Sequence, residues 1–276
     1  MGGFQRTHLV PSGQDWPLRI QLLGRVRASW RGRELRFGSR NAWGLLALLA
    51  LRPRARPRES IAADLWPDGN ASSAAALRQA LWLVRSGLID VGADPDVLLD
   101  VDDDAIGLRA ELPLNLDTVR FEMLAQSRPP RSEEAVALYG GELAEGLTQE
   151  CFARERERLA DLYEDVLADV ASALLASNEL EAARLAALRL VGLDPLREEA
   201  HAVLIDVYSR RGTRSQVSRQ YRRLRALLRE ELGVDPLPET DAVYHAAMNR
   251  AYARSARRQV ATALRATPGL AATYES

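Results

Sequence analysis

From Leu18 onward apolar and polar residues alternate. Leu18, Ile20 and Leu22 fall on one side and Arg19 and Gln21 on the other, which is the two-residue period of a half-buried strand. Val26, Ala28 and Trp30 continue the alternation, Arg31-Gly32 predicts a turn, and Glu34 to Phe37 predicts a returning strand. A small antiparallel sheet therefore opens the folded part of the chain. Residues 1–17 carry no such pattern and are expected to form a disordered leader.

The period then changes to helical. Trp43, Leu46, Ala47 and Ala50 predict a helix from Arg40 to Leu51, ended by Pro53. A second helix follows Pro57, with Arg58 and Glu59 in its first turn and Ile61, Leu65 and Trp66 on its apolar face. Pro67-Asp68-Gly69-Asn70 breaks it. A third helix is expected to start at Ser72 or Ser73, either of which is a good N-cap. Its Leu77, Leu81, Val84 and Leu88 form one buried stripe. Val97 to Val101 and Ile106 to Leu108 then predict a hairpin around Asp102-Asp103-Asp104. Strands, three helices and a hairpin are the order of a winged helix, with a helix–turn–helix at 58–87 and the hairpin as the wing.

From about Ser132 the pattern is almost wholly helical. Leu159, Leu162, Val166, Val170 and Leu174 mark one long amphipathic helix. Asn178-Glu-Leu-Glu-Ala-Ala-Arg and Gly212-Thr-Arg-Ser-Gln-Val-Ser lie 34 residues apart, the period of tetratricopeptide-type hairpins. Asp194-Pro195 and Asp235-Pro236 close successive segments. Stacked helices of this kind offer a groove for a peptide or a partner helix rather than a catalytic centre. The expected fold class is mainly α. A winged helix at 18–112 is followed by an all-α, tetratricopeptide-like domain at 117–253, with a tail over 254–276.

Composition changes this picture little until it is resolved by position. The 276 residues are 47% hydrophobic and 27% charged, as in ordinary globular proteins, and the net charge is −1. All 37 basic residues are arginine, so any phosphate contact comes from a planar, permanently charged guanidinium. Residues 1–90 hold 14 Arg against 6 Asp and Glu, a net +8, whereas residues 91–125 hold 2 against 9, a net −7. A basic segment of that size is the electrostatic footprint of a polyanion partner. The single Cys151 excludes an intramolecular disulfide. The longest apolar run, Ala42 to Leu51, is too short to span a bilayer, and Gln14 and Asp15 interrupt any secretory signal. The expectation is a cytoplasmic, nucleoid-associated protein with no membrane partner.

Several stretches resemble the Streptomyces antibiotic regulatory proteins (SARPs). Leu45-Leu-Ala-Leu-Leu-Ala-Leu51, Asp64-Leu-Trp-Pro-Asp68 and Ala76-Leu-Arg-Gln-Ala-Leu81 are similar to their winged-helix domain. Val119-Arg-Phe-Glu122 resembles the opening of their second domain. Asp194-Pro-Leu-Arg-Glu-Glu-Ala-His201, Leu228-Arg-Glu-Glu-Leu-Gly-Val-Asp-Pro236 and Pro238-Glu-Thr resemble their bacterial transcriptional activation domain. The resemblance covers roughly 18–250. It implies a regulator that binds double-stranded DNA at promoter repeats and engages RNA polymerase, and it leaves self-association on DNA open.

In a winged helix the third helix enters the major groove. Its outward face here carries Ser73, Arg78, Gln79, Trp82, Arg85 and Ser86. Arg78 and Gln79 suit guanine and adenine edges. Arg85 suits a phosphate, as do Arg40, Arg54, Arg56 and Arg58, each adding nearly one unit to the log–log salt dependence. Two departures from the family pattern narrow this reading. Leu83 and Ser86 stand where relatives carry basic residues, and Gly87 weakens the helix end by roughly 1 kcal/mol against alanine. The wing is acidic and would repel phosphate. The rival reading is therefore an adaptor whose winged helix contacts protein, supported by Trp82-Leu83 and the acidic wing.

Asp100, Asp102, Asp104 and Glu111 mimic the spacing of a calcium loop, but Ala105 occupies the position that needs glycine and Pro113 forbids a normal exiting helix. His8, His201 and His245 are scattered, and no Cys/His or Gly-rich phosphate signature appears. No enzyme, cofactor or metal is expected.

Overall fold

The computed structural model describes residues 16–67, 71–109, 111, 113–128, 130–250 and 252. The leader up to residue 15, most of the 67–70 breaker and the 254–276 tail lie outside the described residues. The chain forms two compact units, one up to Tyr163 and one from Glu164 onward.

The first unit opens with β1 (Leu18–Gln21), β2 (Arg27–Trp30) and β3 (Arg33–Glu34), joined antiparallel with Leu18 opposite Trp30 and Ser29 opposite Glu34. The returning strand is shorter than the expected Glu34–Phe37. The chain leaves the sheet because Phe37 turns to pack on Trp43, with ring centroids 4.4 Å apart, and against Gly87. Helix α1 (Arg40–Leu51) is capped by Ser39, whose side chain accepts from the Asn41 N–H. Strand β4 (Arg56–Pro57) leads into α2 (Arg58–Leu65), and α3 (Ala71–Asp90) packs against both α1 and α2. Because α3 already includes Ala71, Ser72 and Ser73 sit in its first turn rather than at its cap. Leu77, Leu81, Val84 and Leu88 are buried as the stripe requires.

The segment expected to be strand from Val97 begins instead as a helical turn, α4 (Pro95–Leu98). Asp94 caps it by accepting from Asp96 N–H, and Pro95 occupies the first turn where its missing N–H costs nothing. The wing proper is β5 (Leu99–Val101) and β6 (Ala105–Leu108), with β4 added to the far edge of β6. Gly107 allows that addition, since a Cβ there would stand 2.7 Å from the Ala55 backbone.

Beyond the wing, β7 (Leu114–Leu116) pairs in parallel with β1, giving the sheet order β3-β2-β1-β7. It continues into α5 (Asp117–Ala125), which packs on β1, β7 and α6 (Ser132–Leu138). The Asp117 carboxylate is buried and accepts from Leu22 N–H at 2.8 Å and Leu23 N–H at 2.9 Å. Phe121, Tyr139 and Tyr163 cluster beside it, the two tyrosines stacked at 3.9 Å.

Long helix α7 (Ala153–Ala176) follows, with Leu159, Val166 and Val170 buried. The second unit continues with α8 (Leu180–Leu193), α9 (Glu198–Arg210), α10 (Arg214–Glu231) and a further helix, α11, over 238–250. The 34-residue echo is geometric. Helices α7 and α9 end at Ala176 and Arg210, and α8 and α10 begin at Leu180 and Arg214. Asn178 and Gly212, also 34 apart, both take a positive φ, the left-handed residue that ends one helix before the next. Helix α9 packs against both α8 and α10, as tetratricopeptide-type stacking demands. Ile205, Val217 and Ala247 close the core between α9, α10 and α11.

The resemblance motifs turn out to be fasteners of this unit. Asp194 accepts from Leu196 N–H, and Arg197 reaches Asp165 at 2.6 Å and Glu164 at 3.5 Å on α7. Glu198 accepts from Leu237 N–H. His201 is buried, with Nε2 facing the Pro195 carbonyl at 3.0 Å and Nδ1 facing the Gln220 amide at 2.9 Å. His245, in contrast, is exposed on α11.

Candidate nucleic-acid interface

Helix α3 is amphipathic in the sense a recognition helix requires. Its buried stripe faces α1 and α2, which leaves Arg78, Gln79 and Trp82 exposed. Trp82 is 65% exposed. Arg78 and Gln79 make no hydrogen bond or ion pair among the described residues.

An open cleft of about 530 Å³ lies between α2, the start of α3 and the wing turn. Three of the expected residues, Arg58, Ser73 and Arg78, line it together. Glu59, Trp66 and Asp103 line it too and were not anticipated. Arg58, Ala62 and Trp66 recur at four-residue spacing along α2, so helical periodicity carries the signal that places Trp66 there. Arg40, Gln79, Trp82 and Arg85 are not among the cleft-lining residues. Arg40 is the exposed first residue of α1.

The acidic wing is fastened to the basic helix beside it. The Asp102 carboxylate accepts from Asp104 N–H at 2.8 Å and Ala105 N–H at 2.6 Å, so it closes the hairpin turn. Those backbone donors, Ala105 first, hold its pKa below the usual carboxylate value. Arg58 donates through Nε and Nη2 to the Asp102 carbonyl, at 3.1 and 2.7 Å, and its N–H donates to the Asp104 carbonyl. No group of three or more metal-ligating side chains forms among the described residues.

The five arginines expected to meet phosphate, taken together with Arg78, fall into two sets. Arg40, Arg54 and Arg78 have no partner among the described residues, and Arg58 meets only a carbonyl. Arg56 is committed internally, to Asp64 at 2.7 Å and to Ser60 at 2.7 Å. Arg85 is held by Asp96 at 2.8 Å, and Arg109 donates to the Asp96 carbonyl at 2.8 Å. Alternation and periodicity give no hint of either pair, because both join separate elements.

Residues 116–248 match the bacterial transcriptional activator domain. The regulatory protein AfsR of Streptomyces griseus is 29% identical over 256 residues, covering 85% of this chain and 25% of that protein. AfsR of Streptomyces coelicolor is 31% identical over 243 residues, covering 80% of this chain and 23% of that protein. The chain is similar to SARP-type regulators in both parts, and its residues 116–248 match the activator domain. It spans about a quarter of the length of these curated relatives. The SARP-like chain also shares its fold with Mycobacterium tuberculosis EmbR, solved in complex with a low affinity phosphopeptide. The TM-score is 0.67 at 21% identity, covering 90% of this chain and 71% of that one. No helix among the described residues is long and apolar enough to cross a membrane.

Proposed function

We propose that this SARP-like chain is a sequence-specific, double-stranded-DNA-binding regulator of transcription, an activator that binds promoter repeats and recruits RNA polymerase in the cytoplasm. The carrying observation is Arg78, an unpartnered guanidinium exposed on α3 in the same cleft as Ser73 and Arg58. Such a group has a bidentate fork free for a guanine edge. Gln79 beside it suits adenine, and Arg40, at the positive end of α1, suits a phosphate. Trp82 has an exposed face for a sugar or a thymine methyl. Arg85 joins the interface by exchanging Asp96 for a phosphate. Residues 18–112 carry the DNA contacts in this reading, and 117–253 carry the activator function and the polymerase contact. It is a binding and not a catalytic protein.

Selection of bound sequences from random duplex DNA tests the proposal. Enrichment of a repeated motif at low salt is the expected result. No enrichment would favour the adaptor reading, which the 65% exposure of Trp82 and the acidic wing support.

A further inference from the structure

The helical unit matches arginine to carboxylate almost one for one. Residues 164–276 contain 16 Arg and 15 Asp and Glu. Arg184 and Arg211 bind Glu181, Arg197 binds Asp165, Arg210 and Arg250 bind Asp206, and Arg225 and Arg229 bind Asp235. One face of α10 breaks the pattern. Arg219 and Arg223 have no hydrogen bond or ion pair among the described residues, and Arg222 donates only to the Ser218 carbonyl, at 3.3 Å. All three line an open cleft of about 700 Å³ with Tyr208, Gln216 and Gln220.

Three like charges within two turns of one helix repel one another. The fold tolerates that repulsion here although it pairs seven other arginines of the unit with carboxylates. The arrangement suits a ligand that brings the missing negative charge. Guanidinium forks bind carboxylates bidentately, and two adjacent glutamines add amide donors and acceptors for a peptide backbone. The cleft floor is already set, because the Gln220 amide is held by His201 Nδ1 and the His201 ring by the Pro195 carbonyl.

We propose that this cleft binds an acidic peptide segment of a partner protein, its carboxylates meeting Arg219, Arg222 and Arg223. A peptide fits better than nucleic acid for two reasons. The near-neutral balance of 164–276 gives no broad positive field to gather a polyanion, so attraction is confined to the cleft. A concavity of this volume admits side chains of an extended peptide but not the convex backbone of a duplex. The proposal rests on the helical unit alone and stands or falls separately from the DNA reading.

Fluorescence anisotropy of the full chain with a labelled peptide of alternating Glu and Gly tests it, against a Gln and Gly counterpart. The Glu peptide is expected to bind at least tenfold more tightly than the Gln peptide. Arg219→Ser with Arg223→Ser should cost at least tenfold, with unchanged circular dichroism. Arg58→Ser with Arg78→Ser should change the affinity less than twofold. His201 ring resonances should shift as the Glu peptide is added, since Gln220 both bonds that ring and lines the cleft. Equal binding of both peptides overturns the proposal, as does loss only in the Arg58/Arg78 variant. Loss of duplex affinity with retained peptide affinity in the Arg219/Arg223 variant would make the cleft a nucleic-acid surface instead.

Discussion

Individual side chains divide into those spent on the fold and those left for a partner. Arg78 is of the second kind, and Arg78→Ala is expected to cost roughly 1–3 kcal/mol of binding and to relax preference at one base position. Arg58→Ala should weaken all duplexes alike, as measured by competition across a sequence panel. Equal, sequence-independent losses for both would remove Arg78 from the base readers. Arg85 makes an opposite prediction. Its partner Asp96 is largely exposed, and an exposed ion pair contributes only about 0–1 kcal/mol to stability. Asp96→Asn should therefore barely move the melting temperature yet tighten DNA binding, and Arg85→Ala should lower the log–log salt slope of that binding by about 0.9. A slope that stays put would show that Arg85 never reaches phosphate. In the helical unit, burial, aided by Arg223, holds the pKa of His201 below its ordinary 6.5, although the Pro195 carbonyl pulls the other way. The unfolded chain then binds a proton that the folded one resists. The stability contributed by neutral His201 is present above pH 6.5 and is lost as pH falls through the lower folded value. Urea midpoints should drop between pH 7.5 and 5.5, and His201→Gln should flatten that drop.

At the scale of elements, local preference and packing disagree most clearly at Gly87. Helix propensity alone says that Gly87→Ala in α3 stabilises by roughly 1 kcal/mol. The structure reverses the sign, since the new Cβ would lie 2.5 Å from Phe37 Cε1 and 2.9 Å from Phe37 Cδ1. Overpacking of this kind costs about 1–3 kcal/mol. Chemical denaturation should show Gly87→Ala destabilised in the native background and neutral or stabilised beside Phe37→Ala, a coupling read directly from the double-mutant cycle. The same contact explains why Glu34 to Phe37 is a poor strand. A run of alternating residues marks where a strand fits, but the ring of Phe37 is needed elsewhere. Elements whose whole content is periodic were legible from sequence, as Arg40–Leu51 and the α3 stripe show. Strands β4 and β7 were not, because two or three residues hold no measurable period and their pairing partners lie far along the chain.

For the whole molecule, the question is where a module ends. The hydrophobic pattern and the resemblance put a boundary after the wing, near residue 112, and the activator domain match begins at residue 116. Packing ties residues across that point. Strand β7 covers the edge of β1, and Asp117 satisfies two buried N–H groups at Leu22 and Leu23. Burial pushes the Asp117 carboxyl pKa up even though those backbone donors favour its charged form. A fragment spanning residues 16–112 would lose β7, leave those two donors without an acceptor at about 1–3 kcal/mol each, and expose the edge of β1. A fragment ending after α7 at residue 176 keeps all three features together with the stacked Tyr139 and Tyr163. The shorter fragment is therefore expected to melt without a cooperative transition or to aggregate, and the longer one to unfold cooperatively in differential scanning calorimetry. Asp117→Ala in the full chain should reproduce part of the loss, about 1–3 kcal/mol, without touching any arginine of the candidate interface. If 16–112 unfolds as cooperatively as 16–176, the clasp at Asp117 is dispensable and the sequence boundary is also the physical one. If it does not, this winged helix depends for its stability on residues that the family match assigns to the activator domain.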